Sequence, residues 1–147
     1  MAERSLPITL ALSALSTIMN EKLIPHLAKE GLHMSHFNML WIVIEVGPLK
    51  VGQLSAYQGC VKSNTTYLLT SMEKKGLLER VANPEDRRGK IVRATRKGLE
   101  TFQKLKEIAQ RSEDKLREVW GEESSEFFVH LGMIGAKTLE EQDTVFD

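Results

Sequence analysis

The sequence predicts a mainly α protein carrying one β-hairpin, in the order α-α-α-α-β-β-α-α. Three observations predict it. Apolar residues recur at steps of three and four through the first and last parts of the chain. The stretch Gly76 to Gly98 breaks that period and reads as two short strands around a charged turn. Glycine or Gly-Pro stops close the helical runs at Gly31, Gly47-Pro48, Gly76 and Gly121.

Each element follows from its residues. Ile8, Leu12, Leu15, Met19, Leu23 and Leu27 form one stripe of a long first helix, which Pro25 is expected to kink or break near its end. Phe37, Leu40, Trp41 and Ile44 give the face of a second helix. A short third helix is expected from about Val51 to Tyr57, with Gly59 in the turn after it. The fourth runs from about Ser63 to Lys75, with Thr65, Leu68, Leu69 and Met72 facing inward. Of its candidate caps, Ser63 and Val61, only Ser63 has the side-chain chemistry. Lys74 and Lys75 stand in its last turn, where the helix dipole favours cations. The strands are Leu77 to Val81 and Ile91 to Ala94, with turn chemistry from Asn83-Pro84 and Gly89. Thr95 is placed to cap the next helix, whose stripe is Phe102, Leu105, Ala109, Ser112, Leu116 and Val119. A last helix carries Phe127, Phe128, Leu131 and Ile134.

Composition bounds the class. A chain of 147 residues is expected to form one domain, 1–147, with a core that needs neither disulfide nor metal. Cys60 is the single cysteine, which fits a reducing cytoplasm. Met1 to Thr9 lacks the pattern of a secretory signal. The longest apolar run, around Met39 to Val46, is cut by Asn38 and Glu45, so no membrane span is expected. Net charge is zero, which alone argues mildly against a nucleic-acid partner. The distribution argues the other way. Between Cys60 and Glu100 ten Lys or Arg stand against five acids, a net of +5, and from Thr101 to Asp147 six stand against eleven, a net of −5. Such an imbalance suggests one face for DNA and another kept away from it, against the blander reading of ordinary charge fluctuation.

A basic-tipped hairpin behind a helix with a polar opening is what a winged helix-turn-helix needs to hold DNA. Lys62, Ser63, Asn64, Thr66 and Tyr67 open the candidate recognition helix, whose first residues would meet base edges in the major groove. Asn can pair bidentately with adenine, and Ser or Thr can bond base or phosphate. A capped, solvated helix start is the alternative for this polar run, and the attached hairpin tips the balance to DNA. Arg87 and Arg88 sit at the hairpin tip, where an arginine can enter a narrow minor groove. Which of the two inserts and which braces stays open. Lys90, Arg93, Lys74 and Lys75 join Lys62 as phosphate candidates.

The terminal helices carry more apolar stripe than the middle core can cover. They predict a homodimer built on 1–30 and 99–147, around a winged lobe at 35–97, against the alternative of a monomer folded back on itself. No glycine-rich phosphate loop, nucleophile elbow or paired metal motif is present, so no enzyme and no cofactor is expected. His26, His33, His36 and His130 lack partners at ligand spacing, so no metal site is expected either.

These residues together resemble the MarR family of winged-helix transcriptional regulators over nearly the whole chain. The resemblance rests on M-E-K-K-G-L-L-E-R, P-E-D-R-R-G-K and A-T-R-K-G, with G-L-H-M-S-H-F-N-M-L and S-N-T-T-Y in support. Tyr67 stands where many members have Arg, Asn83 where Asp is common, and His36 where Gln is common. The resemblance implies a dimer on a pseudo-palindromic operator, two half-sites about 34–36 Å apart, and a response to a small, often aromatic, effector. It implies that Asp86 pairs with a tip arginine and braces the wing. It also implies an effector pocket near Ser13, Thr17, His36, Met39, Leu40 and Trp41. The expected function is a cytoplasmic DNA-binding regulator, a repressor by preference. Two alternatives stay beside it: a winged-helix module that binds protein, and a redox-responsive regulator using Cys60, whose plainer role is a small apolar side chain in the turn.

Overall fold

The computed structural model describes residues 7–58, 62–86, 89–121 and 123–140. Cys60, Arg87 and Arg88 lie outside them. The single long helix expected at the start is two: α1 (Ile8–Asn20) and α2 (Leu23–Lys29) part at Glu21 and Lys22, a turn before Pro25. Proline has no N–H for the carbonyl four residues back, and its ring crowds that carbonyl. The break therefore falls at Glu21, and Pro25 sits in the first turn of α2, where N–H groups have no partner to lose. Gly31, at φ 63°, ends α2. The Gly31 N–H bonds the Ala28 carbonyl at 3.0 Å and the Leu32 N–H reaches back to Leu27 at 2.8 Å. Only a left-handed residue without a Cβ closes a helix this way cheaply.

Helix α3 (Met34–Glu45) presents Phe37, Met39, Leu40, Ile42 and Val43 to the core. The helix-turn-helix pair is α4 (Val51–Gln58) and α5 (Lys62–Lys74). Thr65, Leu69 and Met72 are the buried face of α5, with Leu68 half-buried beside them. The helix begins at Lys62, so Ser63 is a residue inside it and not its cap. Val61 at the boundary lies outside the described residues. Gly76, at φ 70°, closes α5 as Gly31 closes α2, with Gly76 N–H to Glu73 at 2.9 Å and Leu77 N–H to Met72 at 3.0 Å.

The hairpin strands β1 (Leu78–Ala82) and β2 (Lys90–Ala94) are antiparallel, Leu78 opposite Ala94 and Ala82 opposite Lys90. β1 lies one residue further along at both ends than the sequence reading placed it, and β2 begins one residue earlier. A third backbone segment joins them: Leu49 exchanges hydrogen bonds with Val92 at 2.8 and 3.3 Å. A single bridging residue has no periodicity, so nothing in the sequence announces it.

Helix α6 (Arg96–Trp120) is capped by Thr95, whose Oγ1 accepts from the Gly98 N–H at 3.0 Å, and α7 (Glu123–Glu140) follows the Gly121 break. The core runs from Leu23 to Leu105, with Leu54, Leu69, Met72, Leu78, Val92 and Phe102 at its centre. Each such side chain contributes about 1.5–3 kcal/mol. Among the described residues no side chain of α1 or α7 is buried, nor any of α6 beyond Leu105.

Candidate nucleic-acid interface

Burial on one side of α5 decides what its other side can do. With Thr65, Leu69 and Met72 held in the core, Lys62, Ser63, Asn64, Thr66 and Tyr67 are all exposed. Tyr67 is 80% exposed, a large aromatic ring held out to solvent. The Thr66 hydroxyl donates to the Lys62 carbonyl at 2.9 Å and Thr70 does the same to Thr66. Their lone pairs face outward as acceptors, with the proton already committed.

The far end of α5 is bound to the start of α6. Thr95 Oγ1 donates to the Gly76 carbonyl at 2.6 Å, the Thr95 N–H donates to Leu77 at 3.1 Å, and Lys97 Nζ reaches the Lys75 carbonyl at 2.8 Å. Carbonyls of the three residues that follow the recognition helix are thus bonded by the start of the next helix. Arg80 pairs with Glu73 at 2.9 Å, both about a quarter exposed, and joins β1 to the same helix. The hairpin and α5 therefore move with the first turn of α6.

At the wing, the Asn83 side chain accepts from the Glu85 N–H at 3.0 Å, and Asn83 N–H reaches the Gly89 carbonyl at 3.0 Å. These bonds shape the turn that carries Asp86. Its carboxylate stands 3.7 Å from Lys50 Nζ in the α3–α4 connection. This Lys50 contact, which sequence reading missed, ties the wing to the body beside the Leu49–Val92 bridge; no local motif marks a partner 36 positions away. Lys90 is exposed at the start of β2, while Arg93 is drawn across the hairpin to Glu79 at 2.8 Å.

The six residues expected near an effector do not share one cavity. Ser13 and Thr17 are exposed on α1, and Met39 and Leu40 are enclosed in the core. Trp41, 43% exposed, lines a cleft of about 460 Å³ with Leu15, Met19, Phe37 and Phe128, between α1, α3, α6 and α7. Lys106 Nζ sits 5.1 Å from the Trp41 ring centre and pairs with Glu45 at 2.6 Å. His36 faces elsewhere. Its Nδ1 accepts from the His33 N–H at 3.0 Å and its Nε2 meets Ser71 Oγ on α5 at 3.3 Å. Burial, with His33 and Lys75 nearby, holds its pKa below the ordinary histidine value. Among the described residues no three His, Cys, Asp or Glu side chains gather to hold a metal, and no helix is long and apolar enough to cross a membrane.

Comparison with known proteins gives this arrangement a family. The MarR family model matches residues 32–90, from the end of α2 to the start of β2. The regulator MhqR of Bacillus subtilis (strain 168) is 30% identical over 99 residues, 67% of this chain and 68% of that protein. The chain belongs to the MarR family. Three further curated regulators match over about half of their own length (49%, 49% and 50%). The transcriptional regulator Tm0710 from Thermotoga maritima is similar over 94% of this chain and 98% of its own, at 27% identity and a TM-score of 0.63. The repressor CouR, solved on a 23-mer DNA duplex, is similar over 88% of this chain and 92% of its own, at 25% identity and a TM-score of 0.72. This MarR-family protein is a DNA-binding transcriptional regulator with a winged helix-turn-helix fold.

Proposed function

We propose that this regulator is a cytoplasmic, non-enzymatic homodimeric repressor, which lays its two α5 helices on the half-sites of a pseudo-palindromic operator. The observation that carries the reading is the exposed row on α5 fixed rigidly to the hairpin. Lys62, Ser63, Asn64, Thr66 and Tyr67 meet the major groove, while Arg87, Arg88 and Lys90 meet the backbone and minor groove beside it. Asp86 braces the wing. CouR, similar along most of its length, is a repressor seen on duplex DNA.

The dimer rests on residues 1–30 and 99–147, around the lobe 35–97. Ile8 is 76% and Val119 70% exposed, and Ile18, Val129 and Met133 are exposed with them, all on α1, α6 or α7. Apolar side chains concentrated on the terminal helices mark a face that a second copy covers. A small organic effector binds the cleft beside Trp41, where α1 and α7 meet the lobe, and shifts the distance between the two reading helices by its unequal affinity for the two states.

The test is a gel-shift series with Arg87→Ala combined with Arg88→Ala. Four arginines are lost per dimer, so the slope of log affinity against log salt should fall by up to about 4. An unchanged affinity and slope would remove the wing from the interface.

A further inference from the structure

The side of α5 opposite its buried Thr65, Leu69 and Met72 is the side that a groove would receive. Ser63, Tyr67, Thr70 and Lys74 follow one another there at steps of four, three and four, with Thr66 beside Tyr67. The only cations of the helix are its first and last residues, Lys62 and Lys74, about 18 Å apart along the axis. Its only carboxylate, Glu73, is drawn to Arg80 at 2.9 Å. Between the two lysines the outer line is therefore hydroxyls, methyl groups and one aromatic ring, with Asn64 to one side.

The threonine protons on this line are already used. Thr66 Oγ1 donates to the Lys62 carbonyl and Thr70 Oγ1 to the Thr66 carbonyl, each at 2.9 Å. Each threonine is thereby held in one rotamer, and what it has left to offer is lone pairs and a methyl group. Tyr67 stands between them with 80% of its surface exposed, and its ring presents apolar area that a methyl group can cover. Helical side chains lean toward the amino end. Lys62 therefore points away from the level of Thr66 and Tyr67, and Lys74 is two turns beyond it.

These groups do not suit every base pair. In the major groove guanine shows two acceptors, N7 and O6, and is read by Arg or Lys. A guanine at the level of Thr66 would set acceptor against acceptor, with no cation there to bridge them. Adenine shows an amino donor at N6, which a threonine oxygen can take, and its partner thymine adds a 5-methyl group. An A·T pair thus offers both things that this level of the helix can use. A C·G pair offers an amino group without the methyl, beside the two guanine acceptors. We propose that Tyr67 reads the 5-methyl group of a thymine while Thr66 accepts from an adenine amino group beside it, so that this level of each half-site selects against guanine. The assignment rests on α5 lying in the major groove, as proposed above.

The test uses the full chain in two steps. Duplexes are enriched from a random library, and each thymine of the enriched half-site is then replaced in turn by deoxyuridine, which removes the methyl group and keeps the base pairing. At one thymine per half-site the affinity should fall about fourfold, the value of one buried methyl group. Tyr67→Ala should abolish that difference, and Tyr67→Phe, which keeps the ring, should retain it. Tyr67 is exposed, so neither variant removes a core contact. Exchanging that T·A pair for C·G should weaken the parent about 5- to 150-fold. A half-site with no methyl-sensitive thymine, or a methyl effect undiminished in Tyr67→Ala, would overturn the assignment. So would an effect lost in Tyr67→Phe, which would give the reading to the tyrosine hydroxyl, or no loss on the exchange to C·G. Each of these results would leave α5 in the major groove. A library from which no sequence is enriched would remove that placement as well, and the assignment with it.

Discussion

Gly98 offers the sharpest test of how the reading head is attached. It lies in the first turn of α6, buried against the backbone of Leu77, the residue after the Gly76 stop of α5. A Cβ built on Gly98 would stand 3.0 Å from the Leu77 carbonyl carbon and closer still to its oxygen. The obstacle is backbone, so no rotamer change relieves it. Gly98→Ala must push α6 away from Leu77. Inserting one methyl group into such a contact costs about 1–3 kcal/mol, and the upper end applies where the neighbour cannot turn aside. The same displacement strains the Thr95 cap, worth about 1 kcal/mol, and the bonds from Thr95 to Gly76 and Leu77. The expected loss is about 3–4 kcal/mol, a fall in melting temperature of roughly 6–16 °C for a chain of this size. Gly52 is the matched control. It lies exposed in α4 with nothing within 4 Å of its added Cβ, so Gly52→Ala should be neutral or stabilise by up to about 1 kcal/mol. Urea unfolding at fixed protomer concentration measures both. If Gly98→Ala lies within about 0.5 kcal/mol of the parent, or Gly52→Ala loses as much as Gly98→Ala, the close approach of α6 to Leu77 is wrong.

Other expectations follow from the same contacts. Asn64→Ala should weaken operator binding by about 1–3 kcal/mol, mainly at one base position per half-site, in a titration against base-substituted duplexes; a uniform loss over all sequences would make Asn64 a backbone contact. Val119→Glu should shift sedimentation from dimer to monomer, because it places a charge in the apolar face of α6, and a variant that stays dimeric would place the interface elsewhere. His36 has a lowered folded-state pKa, so the unfolded chain takes up its proton first as pH falls. The stability it contributes is complete above the ordinary histidine value of 6.5 and is lost as pH drops through the lower folded value. His36→Asn, which keeps an acceptor for the His33 N–H, should flatten that acid slope in unfolding curves; an equally steep slope would show another group at work.

Much of the fold was legible because its causes are local. A 3.6-residue period placed the buried Thr65, Leu69 and Met72 and left Asn64, Thr66 and Tyr67 outside. Gly31, Gly76 and Gly121 end their helices at positive φ, where a side chain would be strained. Thr95 caps α6 because a hydroxyl at that offset reaches the Gly98 N–H. Even the split of the first helix obeys a local rule, since Pro25 acts on the carbonyl four residues back.

Long-range contacts were another matter. Leu49 on Val92, Lys50 beside Asp86 and Lys106 between Glu45 and Trp41 each join residues tens of positions apart. The family resemblance assigned His36 and Trp41, five residues apart on one helix, to one effector pocket. Five residues is nearly a turn and a half, which sends the two side chains to different faces and different cavities. The sequence by itself determined which segments are helices, where they stop and which face of α5 is polar, since period, caps and left-handed glycines act within one turn. Only the tertiary structure decided what those faces meet, because that depends on how separate helices cross and on which charges the chain brings together from afar.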